Sequence, residues 1–152
     1  MPSVLRRFSI QERRLEQDRA RERRLELVIG LVDRLIYDIA RMCAGHAVVM
    51  DDYVLPAVSR RLSDAVRPFL ERGRVLHPDF GTHAELRVEG DLLQSMRPVL
   101  ATVEFDDASA MEDFGGELRV VPNRRITMHA LISLDHSLVQ RVSLSIGPPS
   151  PA

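Results

Sequence analysis

Residues 83–89 read His-Ala-Glu-Leu-Arg-Val-Glu, and their alternation decides the fold. Successive side chains of an extended chain point to opposite faces, so Ala84, Leu86 and Val88 share one side while Glu85, Arg87 and Glu89 share the other. The period of two continues downstream. Val99–Phe105 alternates in the same way, with Pro98 at a strand entry where a missing amide is tolerated. Glu117–Val121 follows a Gly115-Gly116 turn. Ile126, Met128, Ala130, Ile132 and Leu134 alternate with Thr127, His129 and Ser133. Pro122-Asn123 marks the turn before this strand, and Asp135-His136-Ser137 a tight turn after it. In Leu138–Ile146, Val142, Leu144 and Ile146 alternate with Arg141, Ser143 and Ser145. About five strands joined by short turns predict an antiparallel meander with one solvated face.

Upstream of about residue 74 the period is helical. Leu25, Val28, Val32, Leu35, Ile39 and Met42 recur at intervals of three and four, which places them on one stripe. Ile29, Ile36, Ala40 and Cys43 widen it, Asp33, Arg34, Asp38 and Arg41 are expected opposite, and Gly45 is the expected stop. A second helix is expected to start near Asp51 or Asp52, either of which can cap a first turn. Val54, Leu55, Val58, Leu62, Ala65, Val66, Phe69 and Leu70 form its apolar face, and Pro68 predicts a kink or an end. Helices first and strands afterwards give an α+β class, helices packed on the sheet's apolar face. The order of elements, and nothing finer, is similar to that of cone-shaped folds of the nuclear transport factor 2 and Tim44-like type, which implies a concave sheet face and a pocket between sheet and helices.

The flanks differ from this body. Residues 11–24, QERRLEQDRARERR, contain no Gly or Pro and are dominated by charge, which suits a solvated helix or a segment that orders on a partner. Residues 1–24 therefore read as a charged helical or disordered extension, 25–147 as a single α+β domain, and 148–152 as a Pro-rich tail. The extension holds eight Arg and four acidic residues, about +4; thirteen Arg and eighteen acids put about −5 on the remainder. All 21 basic residues are Arg, a pattern that codon bias explains more simply than function does.

Composition narrows the chemistry. Aromatics are 5% of residues and Trp is absent, so the core must be aliphatic and stacking platforms for bases are few. Cys43 is the sole cysteine, which rules out an intrachain disulfide. No apolar run is long enough to span a membrane, because Glu26, Asp33, Arg34, Asp38 and Arg41 interrupt Leu25–Met50. With no signal-peptide core in residues 1–24, a cytoplasmic location is the expectation.

The reactive residue types form no committed motif. Cys43 and His46 have a metal-ligand spacing but lack the second pair that a structural zinc site needs. Asp106, Asp107, Glu112 and Asp113 are expected in a loop and do not match a calcium-loop spacing. Gly115-Gly116 precedes a strand, unlike a phosphate-binding loop. No catalytic residue, metal or cofactor is assigned.

Two functions remain. The favoured one is a non-enzymatic assembly or adaptor protein that docks on a protein partner, or on itself as a homo-oligomer. Its contact residues would be Arg13, Arg14, Arg21, Arg24, Leu25, Val28 and Val32, since an apolar stripe beside a charged flank is how helices pair. Glu12, Glu16, Asp18 and Glu22, interleaved with the arginines, weigh against nucleic acid as the partner. The alternative is a small-molecule-binding or enzymatic domain, its pocket between sheet and helices and lined by Tyr53, His77, Glu104 and His129.

Overall fold

The computed structural model describes residues 2–43, 45–71, 78–79, 85–94, 96–107, 111–114, 117–120 and 124–149, with side chains described over 10–42, 45–66, 85–94, 96–104 and 125–145. Two helices precede an antiparallel sheet, the α+β order that the periodicities require.

Helix α1 runs unbroken from Pro2 to Cys43. At 1.5 Å per residue it is about 63 Å long, well beyond the width of so small a body. It stops where the sequence places a stop. Gly45 adopts a φ of +88°, its amide donates to the Met42 carbonyl at 3.0 Å, and the His46 amide donates to the Arg41 carbonyl at 3.0 Å. This paired closure satisfies carbonyls that the helix end would otherwise leave unbonded.

Helix α2 spans Pro56–Glu71. It starts later than Asp51 or Asp52, and the reason lies in the sheet. Residues 50–53 form a turn in which the Val54 amide donates to the Met50 carbonyl, and the chain then runs beside the sheet edge. The Val139 amide donates to the Tyr53 carbonyl at 2.7 Å and the Leu55 amide donates to the Val139 carbonyl at 3.2 Å, a parallel bridge. Only after this bridge is the backbone free to coil, and Pro56 suits the first helical position because its missing donor has no helical partner there. Val58, Leu62 and Val66 face inward, and the helix continues past Pro68 to Glu71.

The strands are β1 (Pro78–Asp79), β2 (Glu85–Glu89), β3 (Val99–Asp107), β4 (Met111–Phe114), β5 (Glu117–Val120), β6 (Arg124–Ser133) and β7 (Leu138–Pro149). The main sheet is four strands wide: β1 and β2 both pair with the same side of β3, followed by β6 and β7, all antiparallel. Strands β4 and β5 form a separate two-stranded ribbon between β3 and β6. The meander is therefore interrupted by a hairpin. Glu112 and Asp113 lie in a strand of that hairpin, not in a loop. Residues 115–116 and 122–123, expected as turns, Val121, expected as a strand end, and the loop residues 108–110 lie outside the described residues. Strand β7 extends through Gly147–Pro149, so the Pro-rich segment begins as sheet.

Register fixes which side chains meet. Val99, Ala101 and Val103 of β3, Ile126, Met128, Ala130 and Ile132 of β6 and Val139 of β7 share the face against the helices, where Val28, Val32, Leu35, Ile36 and Ile39 of α1 and Val58, Leu62 and Val66 of α2 complete one aliphatic core. Among the described residues, no helix is long and apolar enough to cross a membrane.

Candidate functional site

The most distinctive surface is the N-terminal half of α1. Read every seven residues, one line along the helix is Arg14, Arg21, Val28, Leu35 and Met42. A parallel line is Gln17, Arg24, Leu31 and Asp38. Residues seven apart on a helix lie nearly above one another, so both lines stay on the body-facing side. From Val28 onward that side is buried and, Asp38 apart, apolar; before it, Arg14, Arg21 and Arg24 share the two lines with Ile10 and Gln17. Arg13 and Ala20 lie beside the second line. Over residues 10–23 every side chain is exposed except the half-buried Ala20.

The carboxylates of this segment are sorted by the helix. At about 100° per residue, Glu12 and Glu22 fall on the far side with Arg19 and Arg23. Glu16 and Asp18 bracket the arginine face, and Asp18 pairs with Arg21 at 3.4 Å. That exposed contact restrains the guanidinium little. Among the described residues no ion pair engages Arg13 or Arg14. Arg24 is anchored, its Nη1 donating to the Leu92 carbonyl at 2.5 Å. This bond ties α1 to the connection between β2 and β3. A groove of about 280 Å³ runs between them, lined by Arg13, Glu16, Gln17, Ala20, Arg24 and Leu93.

Of the sequence-derived contact residues, Arg13, Arg14 and Arg21 are exposed, and Leu25 is 38% exposed. Val28 and Val32 are not available to a partner. They are buried in the chain's own core, at 0% and 3% exposure, because the sheet covers α1 from residue 28 onward. Among the described side chains of α1, the exposed large apolar ones are instead Ile10, Leu15, Leu25, Ile29 and Tyr37.

The pocket candidates separate. Tyr53 lies on the helix side of the sheet, buried, with its hydroxyl donating to Asp38 Oδ2 at 2.5 Å. Arg34 lies over the Tyr53 ring at 4.2 Å and pairs with Asp52 at 2.7 Å. Burial first, then the bond to Asp38, push Tyr53 ionisation well above the ordinary tyrosine range. The Asp52 hydrogen bond likewise raises Arg34 above its usual value. Asp38, expected on the solvent side, is 6% exposed. A 3.6-residue period assigns Asp38 to the edge of the stripe, and the phenol of Tyr53 supplies the donor that makes burial tolerable. The cluster fastens the turn at 50–53 to α1.

Glu104 and His129 lie on the opposite face of the sheet. His129 stands across from Thr102 in the ladder, and its Nδ1 is hydrogen-bonded to Thr102 Oγ1 at 2.9 Å. Glu104 accepts from Arg125 at 3.3 Å and pairs with Arg87 at 3.6 Å. These side chains form a polar ladder across neighbouring strands. The expectation that Tyr53, Glu104 and His129 line one pocket is thus corrected: alternation sends them to two faces of one sheet. His77 lies outside the described residues.

A second depression, of about 330 Å³, lies where α1 ends, lined by Met42, Gly45, His46, Ala47, Val48, Ser63 and Val66. The Cys43 side chain lies outside those described. Among the described residues no three His, Cys, Asp or Glu side chains converge as a metal site requires.

No family model matches the chain, and no curated protein matches it. A de novo designed β-sheet protein solved by solution NMR is similar over 82% of this chain and 92% of its own length, at 14% identity and a TM-score of 0.47.

Proposed function

We propose that the chain is a non-enzymatic assembly or adaptor protein that docks on a protein partner, or on a second copy, through the N-terminal half of α1. One observation carries the reading. The seam that builds the core continues past it as a helix with Arg14, Arg21 and Arg24 beside Ile10 and Gln17 in the core-facing positions, and the sheet leaves residues 10–23 exposed save the half-buried Ala20. A solvated helix needs no such ordering of its charges. Helices that pair do, because flanking charges set partner and register. Ile10 and Leu25 add exposed apolar area alongside. The alternative, a ligand-binding or enzymatic pocket between sheet and helices, has less support, since its candidate side chains lie on two sides of the sheet.

The test is the mass in solution of the tagged full chain purified from its own cells. Docking predicts a species heavier than the 17.2 kDa chain, either a homo-oligomer or a stoichiometric complex. The triple variant Arg13→Glu, Arg14→Glu, Arg21→Glu returns to the monomer mass with unchanged helical content. A wild-type chain that is monomeric and retains no partner contradicts the proposal.

A further inference from the structure

We infer that the groove between α1 and the β2–β3 connection takes a short acidic segment of a partner protein, one that interleaves carboxylates with apolar side chains. The inference rests on the docking reading above and names the chemistry of the partner.

Charge and shape both point this way. Arg13 and Arg24 line the groove toward its two ends along the helix, and Arg14 and Arg21, which do not line it, lie on the neighbouring seven-residue line. Arg13 and Arg24 are eleven residues apart on the helix, which is about 16 Å along its axis. An extended peptide covers that distance in about five residues. The guanidinium fork binds carboxylates in two parallel hydrogen bonds, a geometry that a lysine surface would not offer. Between the two ends, Ala20 and Leu93 line the groove with apolar surface, which an aliphatic side chain on the ligand can cover. Arg24 is already held by the Leu92 carbonyl, so its side chain loses less freedom on binding.

The same details disfavour a phosphate string. Glu16 lines the groove and Asp18 sits against Arg21, so a continuous line of phosphates would meet carboxylates midway. A peptide can place an amide or apolar group there. Among the described residues no aromatic side chain lines the groove to stack a base.

The experiment is a fluorescence anisotropy titration with the full chain. The probe is a fluorescein-labelled peptide in which Leu alternates with Asp and Glu. The comparators are the same peptide with Lys replacing each acid, and a short DNA duplex. Binding of the acidic peptide is expected to exceed that of both comparators and to weaken as salt rises. The variant Arg13→Glu, Arg14→Glu, Arg21→Glu is expected to lose about tenfold or more in affinity, as removal of several charge-assisted contacts requires. Arg19→Glu, Arg23→Glu, a reversal on the far side of the helix, retains wild-type affinity. Equal loss in both variants would reduce the effect to net charge and overturn the site. Tighter binding of the duplex would overturn the acidic-peptide assignment. A complex that depends on Arg13, Arg14 and Arg21 in the mass measurement, beside an acidic peptide that does not bind, removes this inference and leaves docking standing. Failure of both removes the docking reading as well.

Discussion

At the residue scale, the Asp38–Tyr53 pair carries the clearest consequences. A carboxylate that is 6% exposed depends on the phenol that donates to it. Tyr53→Phe keeps the ring beneath Arg34 and deletes that donor, so it should cost about 2–3 kcal/mol in urea unfolding, the scale for stranding a buried charged acceptor. Asp38→Asn retains an acceptor and should cost less. A pH dependence follows with a definite sign. Tyr53 ionises above the ordinary value of 10.0 in the fold, so the fold favours its protonated form. That contribution is fully present below the unfolded value and is lost as pH rises above it toward the folded value. Unfolding free energy should therefore fall on the alkaline side of 10.0, and less steeply in Tyr53→Phe. This pair was only half legible. The sequence reading put Asp38 opposite the stripe although a 3.6-residue period allows its edge, and nothing local announced that a tyrosine fifteen residues later would return to meet it. Long-range hydrogen bonds leave no spacing in a sequence. Gly90 is a second residue with a readable demand: its φ is +126° and an added Cβ would meet Val99 Cγ1 at 3.1 Å. Gly90→Ala should destabilise by more than about 1 kcal/mol in the same assay.

At the element scale, α1 combines two environments in one helix. Leu35 is fully buried whereas Leu25 is 38% exposed, although both belong to the stripe read from the sequence. Leu35→Ala should cost about 2–5 kcal/mol by cavity formation, and Leu25→Ala well under half of that. Amide exchange along α1 should be graded. Residues 28–42 are held by the core and should exchange through global opening, while residues 10–23 lack that cover and should exchange faster. Uniform protection along the helix would contradict the division. Periodicity revealed the helix and its apolar half because amphipathic burial writes itself at 3.6 residues. It could not reveal where the sheet ends along α1, which depends on strand lengths and on the Arg24–Leu92 bond. The start of α2 was hidden for a similar reason. Asp51 and Asp52 are good caps in isolation, yet the bridge of Val54 to Val139 holds the backbone extended beyond them.

At the scale of the whole molecule, the fold was legible because the switch from period 3.6 to period 2 is carried by many residues at once. The β4–β5 hairpin was not, since Met111–Phe114 alternates over too few positions and its acids resemble a loop. The candidate site was legible in composition and illegible in arrangement. Four acids among eight arginines read as dilution in one dimension; wound into α1, Glu12 and Glu22 turn away and leave Arg13, Arg14, Arg21 and Arg24 together. The grouping of the pocket residues broke on the same kind of arithmetic, because Glu104 and His129 on adjacent strands and Tyr53 on the helix side were treated as neighbours without a register. The proposed division of labour runs along one seam: largely apolar from Val28 onward to hold the sheet, arginine-rich before it for a partner. The mass in solution of two charge-reversed full-length chains tests this most directly. Arg14→Glu, Arg21→Glu changes the seam itself and should leave a monomer, whereas Arg19→Glu, Arg23→Glu changes the far side and should remain assembled. Assembly that survives the first pair, or is lost equally in both, would contradict it.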